Sequence, residues 1–314
     1  MPSEECSIKS KKAAQAELFR RGILHWQLRP VQLGIYNFIK DSENLKTVLN
    51  CSRRLGKTHL LSLVAIESAL SKPNQKIKIV APTTKNLRLI LHPIIQNILK
   101  ECTKEVMPHF RTMDNLYRFK NGSEIILHGV DNQSKCDSMR GTACHLALID
   151  EASSIGTPLE YLITDILQPM LLTTNGSMII SSTPPSNPKG NYFLTLTEEA
   201  KANGSYIHKT IYDSGYSPDL IARFKRETPL EDVWQREYEA KFVFSKDELV
   251  IPEWVEKEKD IVQRNKRPDC FLPFTSLDMG WVDSSAALLG YYDFKKGLII
   301  IEDEIEMKKH TTKM

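Results

Sequence analysis

Apolar residues recur along this chain in two alternating rhythms. Segments 13–40, 57–71, 84–102 and 158–172 carry them at helical spacing, the first interrupted at Arg29-Pro30. Between these segments lie short unbroken apolar runs: LKTVLNC within 44–52, IKIVAPT at 77–83, HLALIDEA at 145–152 and GSMIISSTP at 176–184. A run that is apolar without alternation predicts a strand covered on both faces. From Tyr117 to Val130, YRFKNGSEIILHG reads as a hairpin tipped by Asn121-Gly122. Strands alternating with helices predict an α/β fold built on a mostly parallel sheet.

The pattern changes after residue 200. Residues 216–241 are charged and helical, and Val233, Tyr238 and Phe242 fall on roughly one helical face. From 245 to 275 charge runs and prolines (Pro252, Pro268, Pro273) predict a linker. Beyond it, FTSLDMGW and SAALLGYYDFKKGLIIIEDEIE predict at least two antiparallel strands joined at Lys295-Lys296-Gly297. The expected organisation is an arm plus α/β core over 1–204, a small lid over 205–245, a linker over 246–273 and the start of a second domain over 274–314.

Composition narrows the classes. The chain has 314 residues, 41% apolar and 26% charged, with 42 Lys+Arg against 39 Asp+Glu for a net charge of +3. That excludes wholesale disorder and an overall basic glove for nucleic acid, while leaving local basic patches at 9–12, 20–21 and 223–226 as candidate phosphate contacts. No apolar run approaches the roughly 20 residues of a membrane span, and the N-terminus lacks the apolar core of a signal peptide. The six cysteines form no CxxC pair, so they read as reduced thiols in a cytoplasmic protein.

The strongest chemical signal is CSRRLGKTH at 51–59. A phosphate-binding loop ends in Gly-Lys-Ser/Thr because backbone N–H groups wrap the phosphates and the lysine reaches the outer oxygens. Gly56, Lys57 and Thr58 fit this pattern, whereas Cys51 stands where a leading glycine is usual. The segment follows a strand and opens a helix, whose N-terminus favours an anion. HLALIDEA ends a buried strand in Asp150 and Glu151, at the edge where α/β sheets bind ligands. Alone, the two acids could equally cap a strand in solvent; beside a phosphate loop, Asp150 is expected to hold Mg²⁺ and Glu151 to polarise the attacking water of ATP hydrolysis. Ser182 and Thr183 in SSTPP sit where hydroxyls sense the terminal phosphate, though spacing alone equally allows a simple turn. Arg53 lies inside the loop and Arg140 beside flexible Gly141, each placed to supply positive charge as the phosphoryl group transfers. Arg54 reads as structural or solvated.

Taken together, SRRLGKTH, LALIDEA, SSTPP and the later QREYEAKFVF (235–244) resemble the large terminase subunit of tailed bacteriophages, over about Trp26 to Asp278. The resemblance implies a P-loop NTPase of RecA-like (ASCE) type with a lid, followed by an RNase H-like nuclease. It implies an ATP- and Mg²⁺-dependent motor that packages double-stranded DNA, working in the host cytoplasm with a portal protein and a small terminase subunit. Such a motor forms a homo-oligomeric ring when assembled and can be a monomer alone. It further implies that Gln32 in LRPVQ reads the adenine, that Ser52, Arg53, Leu55, Gly56, Lys57 and Thr58 bind ATP, with Thr58 and Asp150 on the metal, and that Arg53 and Arg140 are cis and trans arginine fingers. Ser182 and Thr183 become the coupling motif, and Asp278 matches the first nuclease carboxylate. The remaining nuclease acids of the family lie beyond this chain, while Glu302, Asp303 and Glu304 read as a solvated strand end. The expectation is a fragment, rather than a split gene or a decayed nuclease, and a chain that does not cut DNA by itself. Two other readings stay in view. A helicase-like translocase would need a second RecA-like lobe, which nothing after residue 200 suggests. An inactive prophage remnant that binds DNA or a partner sits poorly with Lys57, Thr58, Asp150 and Glu151 all being present.

Overall fold

The computed structural model describes residues 4–42, 44–243, 261–262, 267–278 and 285–307. The chain divides into two compact units, Met1–Leu249 and Val250–Met314. Most of the expected linker, and the terminal HTTKM, lie outside the described residues.

The first unit is organised by a single sheet. Its strands are β1 (Lys46–Cys51), β2 (Lys76–Ala81), β3 (His109–Arg111), β4 (Leu116–Arg118), β5 (Glu124–Gly129), β6 (Leu146–Ile149), β7 (Ser177–Ser182) and β8 (Tyr206–Lys209). They run in the order β3-β4-β5-β2-β6-β7-β1-β8, parallel from β5 to β8, with β4 and β3 added antiparallel at one edge. The central strands are apolar on both faces because both faces are covered. Leu49, Ile77, Ile79, Leu148 and Ile179 enter one hydrophobic cluster, while their neighbours Val48, Val80, Ala147, Ile149 and Ile180 enter the other. Period-two alternation thus survives as a choice between two cores.

The first cluster is covered by α2 (Pro30–Asp41) and α3 (Lys57–Ser71), preceded by α1 (Glu4–Arg20). A buried carboxylate fixes this layer. Glu67 on α3 is 3% exposed and accepts hydrogen bonds from Leu24 N–H, from His25 N–H at 3.0 Å and from the Tyr36 hydroxyl at 2.6 Å. Burial and the neighbouring Glu67 raise the Tyr36 pKa, so its hydroxyl stays a donor.

Several local expectations are corrected. The helical stretches 84–102 and 158–172 are composite: each contains a π turn (Leu87–Leu91 and Leu162–Leu167) leading into a helix with proline in its first turn. Proline lacks the N–H needed for the i→i−4 bond, so Pro93 and Pro169 favour a widened turn just before them. Residues 13–40 split into α1, a 3₁₀ turn at His25–Gln27 and α2, which starts at Pro30. The hairpin around Asn121-Gly122 forms as β4–β5, with Gly122 at φ 83. Residues 206–209, the first of the expected lid, form β8 of the main sheet. The rest of that segment carries helices Pro218–Glu227 and Glu231–Glu237 around Ile211, Ile221, Trp234 and Tyr238. The common face of Val233, Tyr238 and Phe242 does not form. The helix ends at Glu237 and Ala240 turns the chain at φ 52. Phe242 then lies 6.1 Å from Phe193, among the residues packed on the second core, whereas Tyr238 stacks on Trp234.

The second unit contains β9 (Pro273–Asp278), β10 (Ser285–Asp293) and β11 (Leu298–Met307), antiparallel in the order β11-β10-β9. The β10–β11 turn is the expected one: Asp293 Oδ1 accepts the N–H groups of Lys295 and Lys296 at 3.0 and 3.1 Å, and Gly297 takes φ 66. Among the described residues no helix is long and apolar enough to cross a membrane.

Removing Glu67 leaves two backbone N–H groups and a phenol without their acceptor in a buried layer. Glu67→Ala should therefore lower the unfolding free energy by about 3 kcal/mol in urea denaturation. Glu67→Gln, which keeps an acceptor oxygen, should cost clearly less.

Candidate functional site

At the C-terminal edge of the sheet, β1 runs into the loop Ser52–Gly56 and then α3. Cys51, standing where a glycine is usual, is the last residue of β1; its side chain is buried in the core and its thiol pKa is raised by burial to about 12. The loop takes its left-handed turns later, at Arg54 (φ 66) and Gly56 (φ 79), so glycine is required at 56 rather than 51. Gly56 is also crowded: a Cβ there would stand 2.4 Å from Gln32 Nε2 and 2.9 Å from an Arg29 guanidinium nitrogen.

Those contacts describe a brace. Gln32, 3% exposed on α2, donates from Nε2 to Gly56 O at 2.9 Å and accepts the Arg29 N–H at 3.0 Å. Arg29 donates to Leu55 O at 2.6 Å and Arg54 O at 3.3 Å. Both ends of the Gln32 amide, expected to face a base, are thus engaged with the loop and its neighbour. Arg29 was not a candidate from sequence; its position directly before Pro30, at the N-cap of α2, is the signal available in hindsight.

Lys57 opens α3 with its ammonium buried across the loop mouth, donating to Cys51 O at 3.0 Å and Ser52 O at 3.1 Å and lying 3.8 Å from Glu151 Oε1. The Thr58 hydroxyl donates to Asp150 Oδ2 at 2.6 Å, and Ser181 on β7 donates to Asp150 Oδ1 at 3.0 Å. Burial, and then the Glu151 charge, raise the Asp150 pKa above the usual carboxylate range; Thr58, Lys57 and Ser181 oppose that shift. Glu151 follows with a left-handed backbone, φ 51, and its Oε2 accepts from the Thr183 hydroxyl at 3.4 Å. Ser182 turns instead to Ser153, donating to its hydroxyl at 2.8 Å and accepting its N–H at 3.0 Å, while Ser153 donates to Thr183 O at 2.8 Å. Ser181, the first residue of SSTPP, and Ser153 join this group without having been singled out as candidates from the sequence.

The two candidate arginines go to different places. Arg53 is tied to the segment beyond β8: its N–H donates to Glu237 O at 2.8 Å and its guanidinium pairs with the Glu237 carboxylate. Ser52 N–H donates to Lys209 O at 2.9 Å, and Leu55 is buried. Arg140 is held among Asp137, Tyr161 and Asp165, with Nε 3.1 Å from Asp137 Oδ1, one terminal nitrogen 2.7 Å from the Tyr161 hydroxyl and the other 3.4 Å from Asp165 O. The basic clusters meet acids as well: Arg20 pairs with Glu17 and Glu105, Arg21 with Glu17, Arg223 with Glu227 and Lys225 with Glu231.

In the second unit, Asp278 ends β9 opposite Ala286. Glu302, Asp303 and Glu304, expected at a strand end, lie within β11, which runs on to Met307, and Glu302 pairs with Arg267 at 3.0 Å. Among the described residues no group of three His, Cys, Asp or Glu side chains is placed to hold a metal ion.

The sequence profile of the family described as terminase large subunit, T4-like virus type, N-terminal, matches residues 48–253. This chain belongs to that family. Three solved structures share its fold. The ATPase domain of the Thermus phage P74-26 large terminase is 19% identical with a TM-score of 0.54, over 70% of this chain and 96% of that one. The large terminase of bacteriophage HK97 is 14% identical with a TM-score of 0.60, over 89% and 63%. A large terminase from a thermophilic bacteriophage, solved with ADP, is 16% identical with a TM-score of 0.56, over 88% and 68%. No curated protein sequence matches the chain.

The raised Asp150 pKa means that ionised Asp150 opposes folding at neutral pH. Asp150→Asn should therefore raise the melting temperature of the nucleotide-free terminase chain. A fall in melting temperature would show that the carboxylate is a net structural asset.

Proposed function

We propose that this chain is the ATP-hydrolysing motor subunit of a terminase, driving double-stranded viral DNA into a procapsid. The observation that carries the reading is the convergence of Lys57, Thr58, Asp150, Glu151 and Thr183 at one edge of the sheet, from three neighbouring strands. Relatives described as terminase ATPase domains, one solved with ADP, support it by fold.

The residues divide the work. Lys57 exchanges its two carbonyl acceptors for β- and γ-phosphate oxygens, as the loop N–H groups wrap the chain of phosphates. The Thr58 hydroxyl and the Asp150 carboxylate are hard oxygen donors already 2.6 Å apart, which suits Mg²⁺ shared with phosphate oxygens. A Mg²⁺ held there would neutralise charge on the β- and γ-phosphates. Glu151, beside Lys57 and Thr183, accepts a proton from the water that attacks the γ-phosphorus. The bond to the ADP oxygen breaks, and ADP and inorganic phosphate result. Thr183 reports the change at Glu151 to the segment after β7, which is the coupling role expected of Ser182 and Thr183.

Arg53 faces the site from within the subunit, with Glu237 to release. Arg140, 51% exposed and held apart by Tyr161 and Asp137, is presented for a neighbouring subunit. The proposed working form is therefore a ring, acting in the host cytoplasm with portal and small-subunit partners. Asp278, at the end of β9, would serve as the first carboxylate of a nuclease site.

Steady-state phosphate release from Mg-ATP should be slow at low protein concentration and rise per subunit as concentration increases. Glu151→Gln should reduce it at least about a hundredfold with ATP binding retained. Arg140→Ala should remove the concentration-dependent part alone. Release that is unchanged in Glu151→Gln would refute the assignment.

A further inference from the structure

Arg140 lies at the surface, yet its guanidinium is fixed from three sides. Nε donates to Asp137 Oδ1 at 3.1 Å, one terminal nitrogen to the Tyr161 hydroxyl at 2.7 Å and the other to Asp165 O at 3.4 Å. The Tyr161 hydroxyl donates in turn to Asp137 Oδ1 at 2.5 Å, which closes a ring of three side chains. The guanidinium carbon also stands 5.7 Å from the centre of the Tyr161 ring. None of these bonds involves Lys57, Thr58, Asp150 or Glu151.

Each partner has its reason in the chain. Asp137 ends the helix Gln133–Asp137, three residues before Arg140. Tyr161 ends the helix Pro158–Tyr161, where the π turn Leu162–Leu167 begins. Asp165 O lies four residues before Pro169, which has no N–H to offer it in the ordinary helical bond. A carbonyl so freed is available to Arg140. The Tyr161 hydroxyl, and then Arg140, hold the Asp137 carboxyl below its usual range, so it stays ionised at neutral pH.

A guanidinium carries five N–H donors in a rigid fork. Three are engaged among the described residues, leaving one on each terminal nitrogen, the number that a two-point contact with a phosphate needs. An exposed arginine gives up more rotamer freedom on docking than most side chains. One fixed beforehand has already given it up.

We propose that Tyr161 and Asp137 are positioning residues for Arg140, holding its guanidinium so that the two remaining N–H groups meet a phosphate of the nucleotide bound in the next subunit. The inference rests on the reading of Arg140 as a finger acting between subunits. Neither residue touches that nucleotide; both act through Arg140. The ring restrains a side chain and makes no subunit contact of its own. It therefore sets how fast an assembled site turns over, and not how tightly subunits associate or ATP binds.

The test is steady-state phosphate release from Mg-ATP by the full chain over a series of protein concentrations. The plateau rate, the half-activating concentration and the KM for ATP are read separately. Tyr161→Phe keeps the aromatic ring and removes the hydroxyl, while Asp137→Ala removes the shared acceptor. Each should lower the plateau about tenfold, the scale of one hydrogen bond to a charged group. The half-activating concentration and KM should stay within about twofold. Asp137→Asn, which keeps an acceptor oxygen, should recover most of the loss. In an Arg140→Ala background, Tyr161→Phe should have no further effect. A melting curve matching wild type accompanies each variant. An unchanged plateau overturns the proposal, and so does a higher one, which would make the ring a latch on Arg140. A shift in half-activating concentration instead of the plateau assigns both residues to the subunit contact and overturns it too. A further loss in the Arg140→Ala background has the same consequence. If wild type shows no concentration dependence while Glu151→Gln still abolishes release, the finger reading and this proposal fail together and the ATPase reading stands.

Discussion

One buried carboxylate sets the arrangement of everything at the site. Asp150 sits 6% exposed at the end of β6, and a charge in that position needs donors from every side. It takes one from Thr58 at the start of α3 and one from Ser181 at the end of β7. Those two bonds require β7 to lie between β6 and β1, which is the strand order found. The same insertion brings Thr183 onto Glu151. Strand order alone thereby joins the Asp150–Thr58 contact to the Glu151–Thr183 contact.

The parts of this site legible in the sequence are those whose local pattern has one physical meaning. The glycine before Lys57 must take a positive φ, so α3 begins at Lys57 as the motif indicates. Four apolar residues followed by two acids, in a chain that also carries a phosphate loop, read as a strand that delivers carboxylates to the same edge, and Leu146–Ile149 is that strand. What was not legible depends on partners far along the chain. A run such as SSTPP does not say which hydroxyl faces which strand, and here Ser181, rather than Ser182 or Thr183, reaches Asp150. Nothing near Glu67 indicates that it binds the 24–36 segment. Phe242 leaves the expected helix face because a left-handed Ala240, invisible in periodicity, redirects it into another core. Family resemblance supplied the role offered for Gln32, and only the coordinates show its amide occupied.

The phosphate loop is held from two sides. On one, Arg29 and Gln32 pin the carbonyls of Arg54, Leu55 and Gly56. On the other, Glu237 holds Arg53. Such preorganisation lowers the ordering cost of binding an anion, and it explains why a loop with a single glycine suffices: side chains from α2 and Glu237 do the shaping that further glycines would otherwise permit.

The left-handed backbone at Glu151 has a consequence of its own. A residue with a Cβ held at φ 51 stores a small torsional load, and it sits at the junction between the Glu151 carboxylate and the turn Ala152–Ser154 that contacts Ser182 and Asn191. A shift of the Glu151 side chain therefore starts from a backbone already held away from its relaxed conformation, and that backbone runs without a break into the turn behind it.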